Sequence, residues 1–221
     1  MISFFDEVQN DIVEHLDQFR ELAEFGKPVF IDKPLACSYA DAREIAAIAD
    51  RRGAPVMSAS AIRYARGVAG LCAPDADVRS CDAFGPAAIL ADYPGYFWYG
   101  IHSADVLFAY MGVGCRSVRA ECVDGMDLLV GTWDDGRIAT LRGTRFEGGT
   151  FGCTVFTTDG VRHGLLEAEP PFHVMLLRHV VPFLAGGKSP VPLAESVEVI
   201  AFLEAAWKSR TSGGESIPLT E

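Results

Sequence analysis

The chain has 221 residues, with 19 Lys and Arg against 30 Asp and Glu and a formal net charge of −11. Hydrophobic residues make up 49% and charged residues 22%, which excludes wholesale disorder and leaves ample material for a buried core. An acidic chain with no Lys/Arg run lacks the electrostatic footprint of a protein that binds nucleic acid or an anionic membrane.

The first residues carry Asp6, Glu7, Asp11, Glu14 and Asp17, which is unlike the basic start and apolar run of a secretory signal. No stretch approaches the roughly 18 uninterrupted apolar residues of a membrane span. Cys37, Cys72, Cys81, Cys115, Cys122 and Cys153 form no CxxC pair and have no His at zinc-site spacing. They read as reduced thiols of a cytoplasmic protein, with no metal site.

In chain order, Ile2 to Phe5 reads as the stub of a strand. A helix follows over 12–25, where Val13, Leu16, Phe19, Leu22 and Ala23 recur at three- and four-residue steps before Gly26. Pro28-Val29-Phe30-Ile31, ended by Asp32-Lys33-Pro34, suits a short buried parallel strand. Ser38-Tyr39-Ala40-Asp41 resembles a capping box with Asp for the usual Glu or Gln. The helix after it presents Ala42, Ile45, Ala46 and Ala49 on one face and stops at Gly53. Pro55 to Ala59 is a second buried strand. This alternation is that of an α/β unit with a parallel sheet.

The later part differs. A helix runs from the Gly100 region to about Met111. Strands are expected over 115–123, 126–133, 137–142 and 151–157, with Asp134-Asp135-Gly136 and Thr158-Asp159-Gly160 as hairpin turns. Helices over about 172–185 and 193–210 close the chain. The fold class is therefore α/β plus α+β. An incomplete Rossmann-like parallel sheet over 1–63 precedes a predominantly antiparallel open-sheet domain with flanking helices over 64–221.

Candidate chemistry is sparse. Lys33 ends a parallel strand, where ligands of open α/β sheets bind; a solvated loop lysine is the plainer alternative. His102 lies in the aromatic segment Gly95-Tyr96-Phe97-Trp98-Tyr99-Gly100-Ile101-His102. Asp105, three residues on, shares its helix face and is placed to orient or charge-tune it, although a satisfied core histidine is the competing reading. His163, in a strand, and His173 and His179, six apart on one helix, read as structural or surface residues. Gly112-Val113-Gly114 and Gly148-Gly149-Thr150-Phe151-Gly152 lack the strand-before, helix-after context of a dinucleotide fingerprint. There is no P-loop and no nucleophile elbow.

Several of these pieces resemble one family. Gly26-Lys27-Pro28-Val29-Phe30-Ile31-Asp32-Lys33-Pro34-Leu35-Ala36 looks like the Glu-Lys-Pro signature of the glucose–fructose oxidoreductase / inositol dehydrogenase (Gfo/Idh/MocA) family, with Asp for Glu. Gly100-Ile101-His102-Ser103-Ala104-Asp105 resembles its Gly-Ile-His-x-x-Asp motif, and Gly112 its following helix-end Gly. The stretches 179–186 and 194–209 resemble its closing helices.

The resemblance implies NAD or NADP as cofactor and hydride transfer on a sugar, cyclitol or derivative. It also implies a homo-oligomer built through the C-terminal sheet. It assigns His102 as acid/base and Lys33 as the group that hydrogen-bonds the reacting oxygen. His15, Asp32, Pro34 and Arg63 fall on cofactor-side positions, and Trp98, Tyr99 and Asp105 on substrate-side positions. Some members hold the Lys-Pro bond cis, which directs attention to Lys33–Pro34.

Two departures stand out. Trp98 occupies the position where many members carry an Asp, four residues before the histidine. No Gly-x-Gly-x-x-Gly strand–turn–helix occurs, so the chain is expected to begin inside a nucleotide-binding domain and to be incomplete as an enzyme by itself. The alternative is a non-catalytic carbohydrate-binding or assembly module that kept the family's sheet.

Overall fold

The computed structural model describes residues 14–91 and 93–219. The strand expected at Ile2 to Phe5 and the start of the first helix lie outside the described residues. Within them, α1 (His15–Ala23) leads into β1 (Val29–Asp32), α2 (Tyr39–Arg52) and β2 (Val56–Ala59). The two strands pair in parallel, from Val29 beside Val56 to Asp32 beside Ala59. Among the described residues β1 has no neighbour on its other edge.

Local sequence explains much of this unit. Ser38 caps α2 by accepting from the Asp41 backbone N–H at 3.1 Å. The return contact differs from a full capping box: the Asp41 carboxylate accepts from the Ser38 hydroxyl at 2.7 Å. Asp is one methylene shorter than Glu and stops at the hydroxyl. At the other end Gly53 takes the left-handed conformation (φ 61°), where a side chain would be strained. One face of the small sheet packs Ile31 and Val56 with Ile45 of α2. The other packs Met57 and Ala59 against Leu176, Val180 and Phe183. The latter three belong to α4 (Phe172–Leu184), which follows the larger sheet in sequence.

The larger sheet has seven strands. These are β3 (Val78–Pro86), β4 (Cys115–Val123), β5 (Met126–Trp133), β6 (Ile138–Thr144), β7 (Gly152–Thr157), β8 (Gly160–Leu165) and β9 (Ile217–Pro218), in the spatial order β8-β7-β3-β6-β5-β4-β9. All neighbours are antiparallel except β3 and β6, which run parallel from Asp82 beside Thr140 to Pro86 beside Thr144. The expected strands over 115–157 are present. The interior strand β3 is an addition that its sequence conceals. Its inward residues Cys81, Ala83 and Gly85 are small, so the hydrophobic alternation is faint.

They are small because α3 (Gly100–Met111) lies close against them. This helix is buried nearly all round, at Ile101, Ala104, Asp105, Leu107, Phe108 and beyond, so it occupies the middle of the molecule rather than a surface. Phe108 packs against Trp133 of β5 and Phe202 of α5 (Leu193–Thr211), with ring centroids 5.6 and 5.7 Å apart. One continuous core joins both sheets.

Where β8 meets the loop after β2, the two backbones touch. A methyl group at Gly164 would lie 1.8 Å from the Gly67 carbonyl oxygen, and one at Gly67 (φ +80°) 2.0 Å from that of Leu165. Replacing Gly164 by Ala is expected to push that loop off the sheet and to cost roughly 1–3 kcal/mol of stability in urea unfolding. An unchanged midpoint would show that the loop yields freely.

Candidate active site

The carboxyl ends of β1 and β2 lie side by side, with the first turns of α3 above them. β1 delivers Asp32, Lys33 and Pro34, and the Lys33–Pro34 peptide is cis. The Lys33 ammonium donates to the Trp98 carbonyl at 3.3 Å and sits 5.1 Å from the centre of the Trp98 ring. Burial lowers the Lys33 pKa, opposed by the neighbouring Asp32 carboxylate. His15 Nδ1 lies 3.0 Å from the Pro34 carbonyl oxygen, so α1 is tied to this strand end.

His102 stands on the first turn of α3. Its ring meets Tyr99 and Phe151 edge-on, at 5.5 and 5.3 Å, and the Tyr99 and Phe151 rings stack at 6.4 Å. Tyr99 is 37% exposed and forms the rim of an aromatic wall to which Trp98 contributes, 6.0 Å from Tyr99. Phe151 is held from behind: a methyl group at Gly85 would lie 2.2 Å from its ring and 2.8 Å from Ser103 Oγ. Gly85→Ala is therefore expected to displace Phe151 into the space beside His102.

His102 is a neutral imidazole. Burial, with smaller contributions from the Lys33 charge and His173, pushes its pKa down to about 3. The consequence for stability has a definite sign. Below the ordinary value of 6.5 the unfolded chain protonates this ring, while the folded chain does not until about 3. Stability on this account is therefore complete above 6.5. It falls by up to about 1.4 kcal/mol per pH unit as pH drops through the window below it. His102→Gln is expected to flatten that slope in urea unfolding followed from pH 7 to 4; parallel curves for the two proteins would count against it.

The partner of His102 is not the one its spacing suggests. Asp105 does not hydrogen-bond the ring; its carboxylate accepts from the Ser60 backbone N–H at 2.7 Å and from Arg63 at 3.0 Å. The ring nitrogen Nδ1 lies 2.7 Å from the Ser60 hydroxyl instead. An i, i+3 pair shares a helix face, but Asp105 is turned into the core, 4% exposed, where a cation and one backbone N–H meet it. It is thus a buried anchor rather than a group on the open face.

Arg63, expected to face a cofactor, is likewise engaged inward. It lies in the 3-10 turn Ala61–Tyr64, and its guanidinium bridges Asp105 and Glu195, the latter at 2.6 Å. Burial opposes its charge, but the two carboxylates outweigh it and hold the pKa up.

Ser60, Phe151 and Glu195 are site residues that reasoning from sequence passed over, while His173, read from sequence as structural or surface, contributes to the His102 electrostatics. Ser60 follows a strand end and carried a usable signal. Glu195 carried none, because it reaches Arg63 from the last helix. Two hollows of about 640 and 660 Å³ lie elsewhere, along the loop over 69–77. In the first, Arg79 and Arg137 are already paired with Asp77 and Asp135, and neither hollow is lined by His102 or Lys33.

A dinucleotide's reacting end fits what is here: a cation, a neutral imidazole and an aromatic wall at the carboxyl ends of two parallel strands. A glycine-rich diphosphate cradle is not among the described residues. Nor, among them, is any group of three His, Cys, Asp or Glu placed to hold a metal. No described helix is long and apolar enough to cross a membrane.

Comparison with known proteins bears on this arrangement. Residues 8–60 match the family model described as the oxidoreductase family with NAD-binding Rossmann fold (GFO_IDH_MocA). A search of curated proteins gave no match. Among solved structures, the chain is similar to GenD2 from gentamicin A biosynthesis, in complex with NAD. That match has a TM-score of 0.77 and 19% identity, and covers 100% of this chain and 82% of the other. It is also similar to a putative myo-inositol dehydrogenase from Sinorhizobium meliloti 1021 (TM-score 0.75, 17% identity, 95% and 79% covered). A third is the WlbA dehydrogenase from Bordetella pertussis, in complex with NADH and UDP-GlcNAcA (TM-score 0.67, 17% identity, 95% and 77% covered). Residues 8–60 thus resemble the Gfo/Idh/MocA oxidoreductase family, and along its length the chain shares the fold of these solved dehydrogenases.

Proposed function

We propose that this protein is an NAD(P)-dependent oxidoreductase that interconverts a hydroxyl and a carbonyl on a sugar, a cyclitol or a derivative. The observation that carries the reading is the meeting of Lys33, from the end of β1, with the His102 segment of α3 through the Trp98 carbonyl and ring. A bound nicotinamide supplies the hydride acceptor or donor.

The chain's own residues do the rest. The aromatic wall of Trp98, Tyr99 and Phe151 offers flat apolar area to the C–H face of a sugar ring. The Lys33 cation sits where negative charge develops on the reacting oxygen, and in a desolvated site such a charge acts more strongly than in water. His102 hydrogen-bonds the same oxygen. His15, Asp32 and Pro34 shape the cofactor side of the strand end, while Arg63 and Asp105 hold the floor of the site.

Substrate choice follows from the same surface: a polyhydroxylated ring suits it and a long acyl chain does not. A homo-oligomer would form through the outward face of the seven-stranded sheet, where Ile138 and Val161 are exposed.

Titration of the full chain with NADH and with NADPH, followed by fluorescence, tests the reading. Submillimolar binding of one of them, together with reduction of the oxidised form by a cyclitol or sugar, is the result this reading requires, and it would set aside the expectation that the chain is incomplete as an enzyme by itself. Absence of binding by both would defeat the proposal in favour of a sugar-binding module.

A further inference from the structure

Ser60 is fully buried, and its hydroxyl oxygen has two close neighbours. The Ile62 backbone N–H donates to it at 3.1 Å, and His102 Nδ1 lies 2.7 Å away. A hydroxyl has one proton to give and must place it. With Ile62 donating to the oxygen, Nδ1 is the acceptor that this geometry offers to the hydroxyl proton. The reverse arrangement, Nδ1–H donating to Oγ, puts two donors on the oxygen and strands the hydroxyl proton in a buried place.

We propose that Ser60 is a positioning residue that donates its hydroxyl proton to His102 Nδ1 and so fixes the neutral imidazole with its own proton on Nε2. The role this gives Nε2 rests on the oxidoreductase reading; the tautomer itself does not.

Three further observations support the assignment. The Ser60 backbone is anchored, because its N–H is held by the Asp105 carboxylate at 2.7 Å, and Asp105 is in turn clamped by Arg63 and, through Arg63, by Glu195. The serine lies at the N-cap of the 3-10 turn, where its oxygen is committed to the Ile62 N–H. Burial keeps the ring uncharged at neutral pH, so the choice is between two neutral tautomers.

The chemistry of the site changes accordingly. With Nε2–H fixed, His102 meets a substrate oxygen as a hydrogen-bond donor and polarises it without taking a proton. Proton exchange then falls to Lys33. In carbonyl reduction the hydride adds to carbon, the C=O π pair moves to oxygen, and oxygen takes a proton from the Lys33 ammonium. The Lys33 amine regains its proton from water. Alcohol oxidation runs these steps backwards.

The experiment is a two-bond 1H–15N correlation spectrum of the full chain labelled with 15N-histidine, at pH 7. His102 is assigned by its loss in His102→Gln. The expected pattern is an acceptor-type nitrogen at Nδ1 and a protonated one at Nε2. Ser60→Ala should average the two tautomers, and Ser60→Thr, which keeps the hydroxyl, should restore the pattern. A protonated Nδ1 in the unsubstituted protein overturns the proposal, and so does a Ser60→Ala pattern identical to it. The unsubstituted spectrum alone decides the tautomer if Ser60→Ala does not fold. Failure of dinucleotide binding would remove the oxidoreductase reading yet leave this spectrum where it is, so the two failures are distinguishable.

Discussion

Arg63→Met is expected to destabilise the fold by about 3–5 kcal/mol, the cost of removing one partner from a buried ion pair. The side chain is 11% exposed and lies between Asp105 and Glu195, themselves 6% and 10% exposed. Methionine fills most of the space but leaves two carboxylates facing each other in the core. Burial already raises the pKa of both, and without the cation they are driven further toward the protonated form.

The loss should therefore be largest near neutral pH and smaller in acid, where the carboxyls protonate. A triple variant, Arg63→Met with Asp105→Leu and Glu195→Leu, should recover much of the stability, because it removes the buried charges altogether. Urea unfolding at pH 7 and pH 5 measures both. A change below about 1 kcal/mol for Arg63→Met would place the group in water, contrary to its contacts.

His102→Ala is expected to lower turnover by roughly 10²–10³ with dinucleotide and a cyclitol or sugar substrate, the usual scale for losing a hydrogen-bond donor to the reacting oxygen. Dinucleotide affinity should change little, since no cofactor-side contact is assigned to this ring. The loss belongs in kcat as well as kcat/KM if the hydrogen bond strengthens in the transition state. Lys33→Met should be at least as damaging, because it removes the charge that stabilises the developing alkoxide. Equal turnover in His102→Ala and the unsubstituted protein would take His102 out of the chemistry.

Legibility in the sequence followed the range of the interactions. The cap at Ser38, the stop at Gly53 and the short apolar strands ending at Asp32 and Ala59 depend on neighbours within a few residues, and each can be read from its own stretch. The candidate residues Lys33 and His102 were legible as a strand end and a helix start within recognisable motifs. β3 was not, because Cys81, Ala83 and Gly85 are kept small by a helix that follows them.

The floor of the site was not legible either. The Ser60–Asp105 and Arg63–Asp105 contacts span 45 and 42 positions. Glu195 lies more distant still. Helical spacing brought Asp105 under suspicion for the right neighbourhood but the wrong contact, since three positions along a helix specify a face and not a partner.

The clamp on Arg63 also sets an order in time. A chain emerging from the ribosome presents its amino-terminal portions first, so Arg63 and Asp105 are free to meet long before Glu195 has been made. Until α5 is synthesised and docks, the guanidinium has one carboxylate instead of two, and the serine beside His102 stands on a half-built floor. The proposed site geometry thus arrives last, with the final helix, and a ribosome stalled before residue 195 would hold a nascent chain that has this histidine and lysine but not the clamp beneath them.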